Sequence, residues 1–489
     1  MENLVVYAKK KINIEKFDTA AKITAASDVK SILTVSARSV ITTVEQVNTA
    51  LTIGGKVVVT AIYLTGENEI SSAEAVVDFT QKQTLKTALK DIVASDEVCV
   101  KIDAISGSEI LCSVTHNTHI FGIYEHKIAD FVGENTALVL NNKTFNSLKF
   151  VDSPAESFVV AEEVESNISA TQILAANAVV VDSTIAAAAE KVVIQGRVLV
   201  SAIYKDGETI QELSKQFEFK QEIAATAVVP NMIAEANISV KSVTVTAEEK
   251  EGKTNLIYAI ELFAKPYVYE EETYVVASDM FSLESEIENT YDFFEVKNYK
   301  STETVSDVLV SSTDISNIEN LDDILGVYSL SATAENVVKN GDSGMIEGYF
   351  SAVAIYKSND EVKKLDIKTA IKIEFALQGD DFEIDSLSAE ISSFKVKAGR
   401  ELEIAIKLYA EISNYEILSA SYVKSFEIKG EKPKNNGGIK VYVASSGETV
   451  FDIAKTLSVR PEIIEEQNEI DSVFEQGQKI FVYSPINLL

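Results

Sequence analysis

Basic residues are scarce in this chain. Lys and Arg total 44 against 75 Asp and Glu, for a net charge of −31. Nucleic acid and anionic membranes both need a basic surface, so neither is the expected main partner. The acidic balance reads first as solubility and second as a fit for a basic protein partner. Cysteine is limited to Cys99 and Cys112. A secreted disulfide scaffold would use more, and two thiols fit a reducing cytoplasm. No run of about 18 apolar residues occurs, so no membrane-spanning helix is expected. The opening MENLVVYAKKKINIEKF lacks an apolar stretch behind a basic one, so no signal peptide is expected. Six prolines and the lack of tryptophan exclude little.

What the chain does hold is a hydrophobic fraction of 46% over 489 residues, enough for several folded domains with their own cores. One stretch occurs three times: GGKVVVTAIY at 54–63, QGRVLVSAIY at 195–204 and EGYFSAVAIY at 347–356. Each copy places a Gly eight positions before a Tyr: Gly55 and Tyr63, Gly196 and Tyr204, Gly348 and Tyr356. The intervals of 141 and 152 residues exceed solenoid periods and indicate duplicated domains. The unit reads as a strand, because alternate residues share a face. Val57, Val59 and Ala61 line one side in the first copy, and Ile62, Ile203 and Ile355 end the other side in the three copies. Two apolar faces predict a central strand covered on both sides. A polar turn follows each copy, and then an apolar strand holding Phe79, then Phe217 and Phe219, then Ile373 and Phe375, which is a hairpin signature. The repeated Gly predicts close backbone approach or a bulge. These six Gly and Tyr residues carry a structural role in this reading.

The remaining chain fits the same plan. Residues 1–128, 129–272 and 273–429 form three units rich in alternating strands, with the fold class mainly β and each unit a sandwich or barrel. The stretch 85–93 is ambiguous between helix and strand. The alanines of 168–196 favour a helix by propensity, but position and the valines at 179–181 favour strands. Hairpins are expected to turn at Ser106-Gly107, Glu251-Gly252-Lys253 and Ala398-Gly399-Arg400. The acidic start of 283–309 is weakly helical. Residues 430–438 are a polar, flexible linker.

Residues 439–489 differ in kind. A short strand leads to Ser446-Gly447-Glu448-Thr449, and Val450, Ile453, Ala454 and Leu457 then share one helical face. A second short helix starts near Pro461, and Gly477 turns the chain into KIFVY. This order, βααβ, resembles a LysM domain. The family pattern of Tyr-x-Val, Gly-Asp-Thr-Leu, an Ile-Ala helix, a second helix ending in Asn and a Gly before the last strand falls on five places. They are Tyr442-Val443-Ala444, Gly447-Glu448-Thr449-Val450, Ile453-Ala454, Asn468 and Gly477. The resemblance implies a groove between the two loops that binds N-acetylglucosamine-containing glycans, formed by Gly447, Glu448, Thr449 and Val450 with Asn468, Glu469 and Ile470.

The three upstream repeats, read from Ile53 to Tyr63, Ile194 to Tyr204 and Ile346 to Tyr356, are similar to the SPOCS domain, named for its association with spore-coat proteins of endospore-forming bacteria. Three such units followed by a LysM domain resemble the clostridial spore-coat morphogenetic proteins of that composition. The resemblance implies a non-enzymatic scaffold of the endospore coat, made in the mother-cell cytoplasm and placed at the forespore surface. Its implied partners are the ATP-hydrolysing protein of the coat basement layer and other coat proteins, with self-association compatible. The alternative is a wall or cortex protein that binds peptidoglycan glycan.

No catalytic or metal site and no cofactor is expected. Cys112, His116, His119 and His126 are zinc-type ligands, yet positions 116 and 119 of a strand point to opposite faces, and the spacings match no zinc motif. No third group orients a Cys–His nucleophile, and no phosphate-binding Gly-rich loop with Lys-Ser/Thr is present.

Overall fold

A computed structural model describes residues 3–131, 137–166, 170, 172–207, 209–250, 253–359, 361–397, 400–433, 438–469 and 474–484. The molecule is mainly β, and the described residues form 22 strands against two short helices. The strands divide into separate sheets, and six of those sheets pack in pairs.

The first pair holds β1 (Asn3–Asn13), β2 (Phe17–Thr24), β3 (Val29–Val47), β4 (Ala50–Thr65), β5 (Ile70–Thr84), β6 (Lys90–Ser106) and β7 (Glu109–Ala129). β3, β4 and β5 make an antiparallel meander with β4 in the middle. β7 is the centre of the facing sheet, with β6 along one edge and β1 and β2 in succession along the other. The turns use residues that tolerate a left-handed backbone: Asn48, Asn68 and Gly107 all have positive φ. Val57, Val59, Ala61 and Phe79 pack against Ile110, Cys112 and Val114 between the sheets. Leu85 and Leu89 close one end of this core, and regular pairing resumes only at Lys90. The ambiguous stretch 85–93 is therefore a surface connection anchored by two buried leucines that runs into a strand.

The second pair is built from β8 (Leu138–Val151), β9 (Glu156–Ser166), β10 (Gln172–Ala188), β11 (Lys191–Asp206), β12 (Thr209–Ala224), β13 (Ile233–Lys250) and β14 (Lys253–Ser282). β10–β11–β12 is the meander, and β14 is flanked by β13 on one side and by β9 and β8 on the other. The alanine-rich stretch is strand, because its partner β11 pairs with it residue by residue from Lys191 to Lys205. The third pair holds β15 (Ser285–Asp314), β16 (Leu321–Asn340), β17 (Ser343–Ser358), β18 (Glu361–Ala376), β19 (Asp381–Lys397) and β20 (Glu401–Glu431). Here one strand, β15, pairs along the whole of β20 where the other pairs use two. The weak helix expected at the start of 283–309 does not form. Its residues alternate in exposure as a strand does, and Phe294 and Val296 are buried in a shared core. Two of the expected turns, Glu251-Gly252 and Ala398-Gly399, lie outside the described residues, as do residues 434–437 of the linker.

The apolar second face of each central strand explains how the pairs meet. Ile62 and Leu64 of β4, Ile355 and Val353 of β17, and Leu174 and Ile210 beside a half-buried Ile203 form one core shared by the three meanders, with Tyr328 in it. A second shared core joins the long-stranded sheets through Val6, Ile128, Phe145, Val276, Val296 and Tyr422. A polar contact crosses between the first two pairs: the Lys9 ammonium lies 2.6 Å from the Glu235 carboxylate, which also accepts from Tyr269 OH of its own sheet at 2.7 Å.

The repeated glycines sit where a neighbouring strand presses in. A Cβ on Gly55 would lie 2.5 Å from the Phe79 ring and 2.6 Å from the Val40 carbonyl oxygen. A Cβ on Gly196 would meet the Asp182 carbonyl, and one on Gly348 the Thr333 carbonyl. The opposing strand bulges beside each of them, between Ile41 and Thr43, Val180 and Asp182, and Ala334 and Asn336. Tyr63 is fully buried, Tyr204 is buried with its OH donating to Gln211 at 2.7 Å, and Tyr356 is half-buried.

Candidate binding site in the C-terminal segment

The C-terminal segment has its own small core. β21 (Gly438–Val443) and β22 (Lys479–Ser484) pair antiparallel and flank α1 (Val450–Leu457) and α2 (Pro461–Gln467). Ile453, Ala454, Ile464, Phe474, Ile480 and Val482 fill the space between hairpin and helices. α1 begins with a capping box: Thr449 Oγ1 accepts from the Asp452 amide at 3.2 Å, and Asp452 accepts from the Thr449 amide at 2.9 Å. α2 starts with Pro461 at its first position, where the missing N–H costs nothing.

The first of the two loops named by the sequence bonds to the chain just before β22. The Gly447 amide donates to the Phe474 carbonyl and the Phe474 amide to the Glu448 carbonyl, both at 3.4 Å, and Gly477 bonds back to Ala444 at 2.9 Å. Gly447 and Gly477 have φ of 86° and 88°, so the loop shape demands glycine at both. Gly447 and Thr449 are exposed, while Glu448 and Val450 are half-buried. The Glu448 carboxylate folds back on its own loop, accepting from Tyr442 OH at 2.8 Å and from the Ser445 amide at 2.7 Å. That bond pushes the Tyr442 phenol up. Glu469 is exposed, and Ile470 lies outside the described residues.

Asn468 does different work from a groove wall. Its amide donates to the Phe481 carbonyl at 2.7 Å and accepts from the Phe481 amide at 2.8 Å, while also donating to Ile464. Gln467 repeats the pattern on Tyr483, accepting at 2.6 Å and donating at 3.0 Å. The two side-chain amides thus stand in for a third strand along β22. Sequence reading missed Gln467; its only signal was an adjacent pair of side-chain amides ending a helix.

The segment is docked on the second sheet pair. Phe451 meets Phe281 edge to face at 5.3 Å, in a core that also takes Val139. Lys455 Nζ lies 2.5 Å from Asp279, and Lys432 Nζ donates to the Ser282 carbonyl at 2.8 Å. Burial pushes the Asp279 carboxyl up, but Lys455, Tyr291 and the Met280 amide outweigh it and hold the group below its ordinary range.

The histidines go to separate places. His116 is fully buried, stacked on Phe17 at 4.3 Å, with Asp96 2.7 Å from Nδ1 and Thr19 2.8 Å from Nε2. His119 meets Asn13, and His126 meets Tyr422 of the third pair. Burial lowers both of these latter imidazoles. Cys112 is in the first core, where burial pushes its thiol up. Among the described residues, no group of three or more His, Cys, Asp or Glu is disposed to hold a metal ion. No described helix is long and apolar enough to cross a membrane.

The seams between sheet pairs hold carboxylates that the sequence did not flag. Burial raises Asp385 to about 6 against Lys9 and Ser413, which pull it down. Burial raises Glu411 to about 7 while Ser183 of the second pair donates to it at 2.6 Å. Burial likewise raises Glu212 to about 7, although the Ser329 amide of the third pair donates to it at 3.3 Å.

Comparison with known families adds one finding. Residues 169–248, which run from before β10 to near the end of β13 and include the central strand β11, match the SipL, SPOCS domain family. That part of the chain is similar to a SPOCS domain, and the match points to a sporulation- and spore-coat-related role. No curated protein and no solved structure matches the chain.

Proposed function

We propose that the protein is a non-enzymatic scaffold of endospore coat assembly. The observation that carries this is the SPOCS match at 169–248. Support comes from the matching placement of Gly55, Gly196 and Gly348 on the central strands β4, β11 and β17; in this reading residues 1–128, 129–272 and 273–429 are three SPOCS-like units. Residues 439–489 are then a LysM domain behind the linker 430–438. The scaffold works in the mother-cell cytoplasm at the forespore surface and captures the ATP-hydrolysing protein of the coat basement layer through this domain and the β units.

The test is binding of the full chain to two immobilised targets, the purified basement-layer ATPase and purified peptidoglycan. Capture by the ATPase, lost in Gly447→Arg while the β units stay folded, is the expected result. Capture by peptidoglycan alone would overturn the scaffold reading and make the protein a glycan-binding component of cortex or wall.

A further inference from the structure

The hairpin β21–β22 has one sealed edge and one open edge. Backbone groups of Phe481 and Tyr483 face away from β21 and are taken by Asn468 and Gln467. In an antiparallel ladder the pairs alternate, so Ile480 and Val482 bond inward to Tyr442 and Lys440. Ile439, Val441 and Val443 therefore turn their amides and carbonyls to the open side, where no described residue pairs with them. An unpaired edge is a template for another strand, and proteins usually blunt it. This segment blunts one edge with two side chains and leaves the other unpaired among the described residues.

The same three residues also expose their side chains. Ile439, Val441 and Val443 are 72%, 54% and 57% exposed, and their cross-strand neighbours Tyr483 and Phe481 are 55% and 50% exposed. Five large apolar side chains thus share one outward face, with Lys479 opposite Val443. The alternate residues Ile480 and Val482 are buried, so the outward face is not needed for the segment's own core.

Charge selects the occupant. Residues 439–489 carry eight acidic and four basic side chains. Lys455 is held by Asp279, and Lys440 donates to the Leu457 carbonyl at the end of α1. Glu469 follows Asn468 at the sealed edge, and Glu475 stands in the turn before β22. A second copy would bring another acidic segment, on a chain of −31, against this one. We propose that the open edge of β21 takes an extended strand of a partner protein, with aliphatic residues alternating with Lys or Arg. Backbone bonds to Ile439, Val441 and Val443 supply affinity, and the aliphatic residues extend the apolar face. This rests on the reading that the segment captures a protein, and it names the surface and the chemistry of what is captured.

The test uses the full chain and two probes. The first is a synthetic strand peptide of alternating valine and lysine, with a valine–glutamate counterpart. The lysine peptide should bind and slow amide exchange at Ile439, Val441 and Val443, and the glutamate peptide should not. Val441→Pro removes one outward N–H and keeps the inward bonds of Lys440 and Tyr442; edge strands accept proline. It should weaken binding about tenfold, the cost of a lost backbone bond. Phe481→Ser, at a half-exposed position outside the core, should weaken binding without disturbing the hairpin. Unchanged affinity in both variants, or protection only outside β21, would overturn the proposal. So would protection of the same amides by self-association without peptide. The second probe is the basement-layer ATPase. Failure of the wild-type chain to capture it would refute the functional reading, while the peptide arm still judges the edge.

Discussion

Replacing Gly55 by alanine puts a methyl group into space already filled. The added carbon would lie 2.5 Å from the Phe79 ring and 2.6 Å from the Val40 carbonyl oxygen, inside any contact that real Cβ atoms make. Phe79 is itself packed against Phe17 and His116, with ring centroids at 5.8 and 4.5 Å, so it has little room to turn away. The carbonyl belongs to β3 just before its bulge, and its retreat would pull that strand from β4. Overpacking of this kind costs about 1–3 kcal/mol. Alanine recovers about 0.4–1 kcal/mol by stiffening the unfolded chain. The net loss is about 1–2 kcal/mol, which multiplies the open population about 5–30-fold. Because several cores share the chain, a single melting curve would blur this loss, and amide exchange of β4 and β5 is the proper assay. Those amides should exchange faster by that factor, while β17 and β18 keep their rates. Gly66→Ala is the control, since a Cβ there meets nothing within 4 Å. Equal exchange in Gly55→Ala and the wild type would refute the view that the repeated glycine exists for close strand approach.

Two further outcomes follow from the seams and the dock. Asp385, Glu411 and Glu212 sit at about 6, 7 and 7, above their ordinary values near 4. A raised carboxyl costs nothing below its unfolded value and costs most above its folded one, by about 1.4 kcal/mol per unit. Resistance to unfolding should therefore fall as pH rises from 4.5 to about 7.5, and Glu411→Gln should flatten part of that slope; an unchanged slope would contradict the assignment. Phe281→Ala removes the ring against Phe451 and should release the C-terminal segment without unfolding it, seen as faster exchange of the α1 amides near Phe451 and a longer particle in solution scattering, with β21–β22 exchange unchanged.

The hairpins were legible because strands with two buried faces write themselves as apolar runs closed by Gly, Asn and Asp turns. The turn at Ser106-Gly107 and the alternation through 29–44 needed no long-range knowledge. The start of β15 was not legible: its acidic residues match a helix by propensity, and only pairing with β20 decides otherwise. The second face of β4 could be read as buried but not what buries it, since Ile62 meets Leu174 and Ile355 only through the assembled chain. In the C-terminal segment the loop glycines were visible as motif positions. The use of Asn468 on the edge of β22 was not, because a side-chain amide looks the same in sequence whether it binds a ligand or a backbone.

β14 joins places that are otherwise far apart in the sequence. Its early residues Leu256 and Ile260 lie in the core of the second sheet pair, its middle residues Tyr274 and Val276 lie where the sheet pairs meet, and its end, at Asp279 and Phe281, holds the C-terminal segment. A tension applied to that segment is thus divided. Part travels along the linker to the end of β20, where the ladder with β15 would open one pair at a time from Glu431 and Ser285. The rest enters β14 lengthwise, against ladders with β8, β9 and β13 whose bonds resist together. The dock turns a tether that peels into a joint that shears.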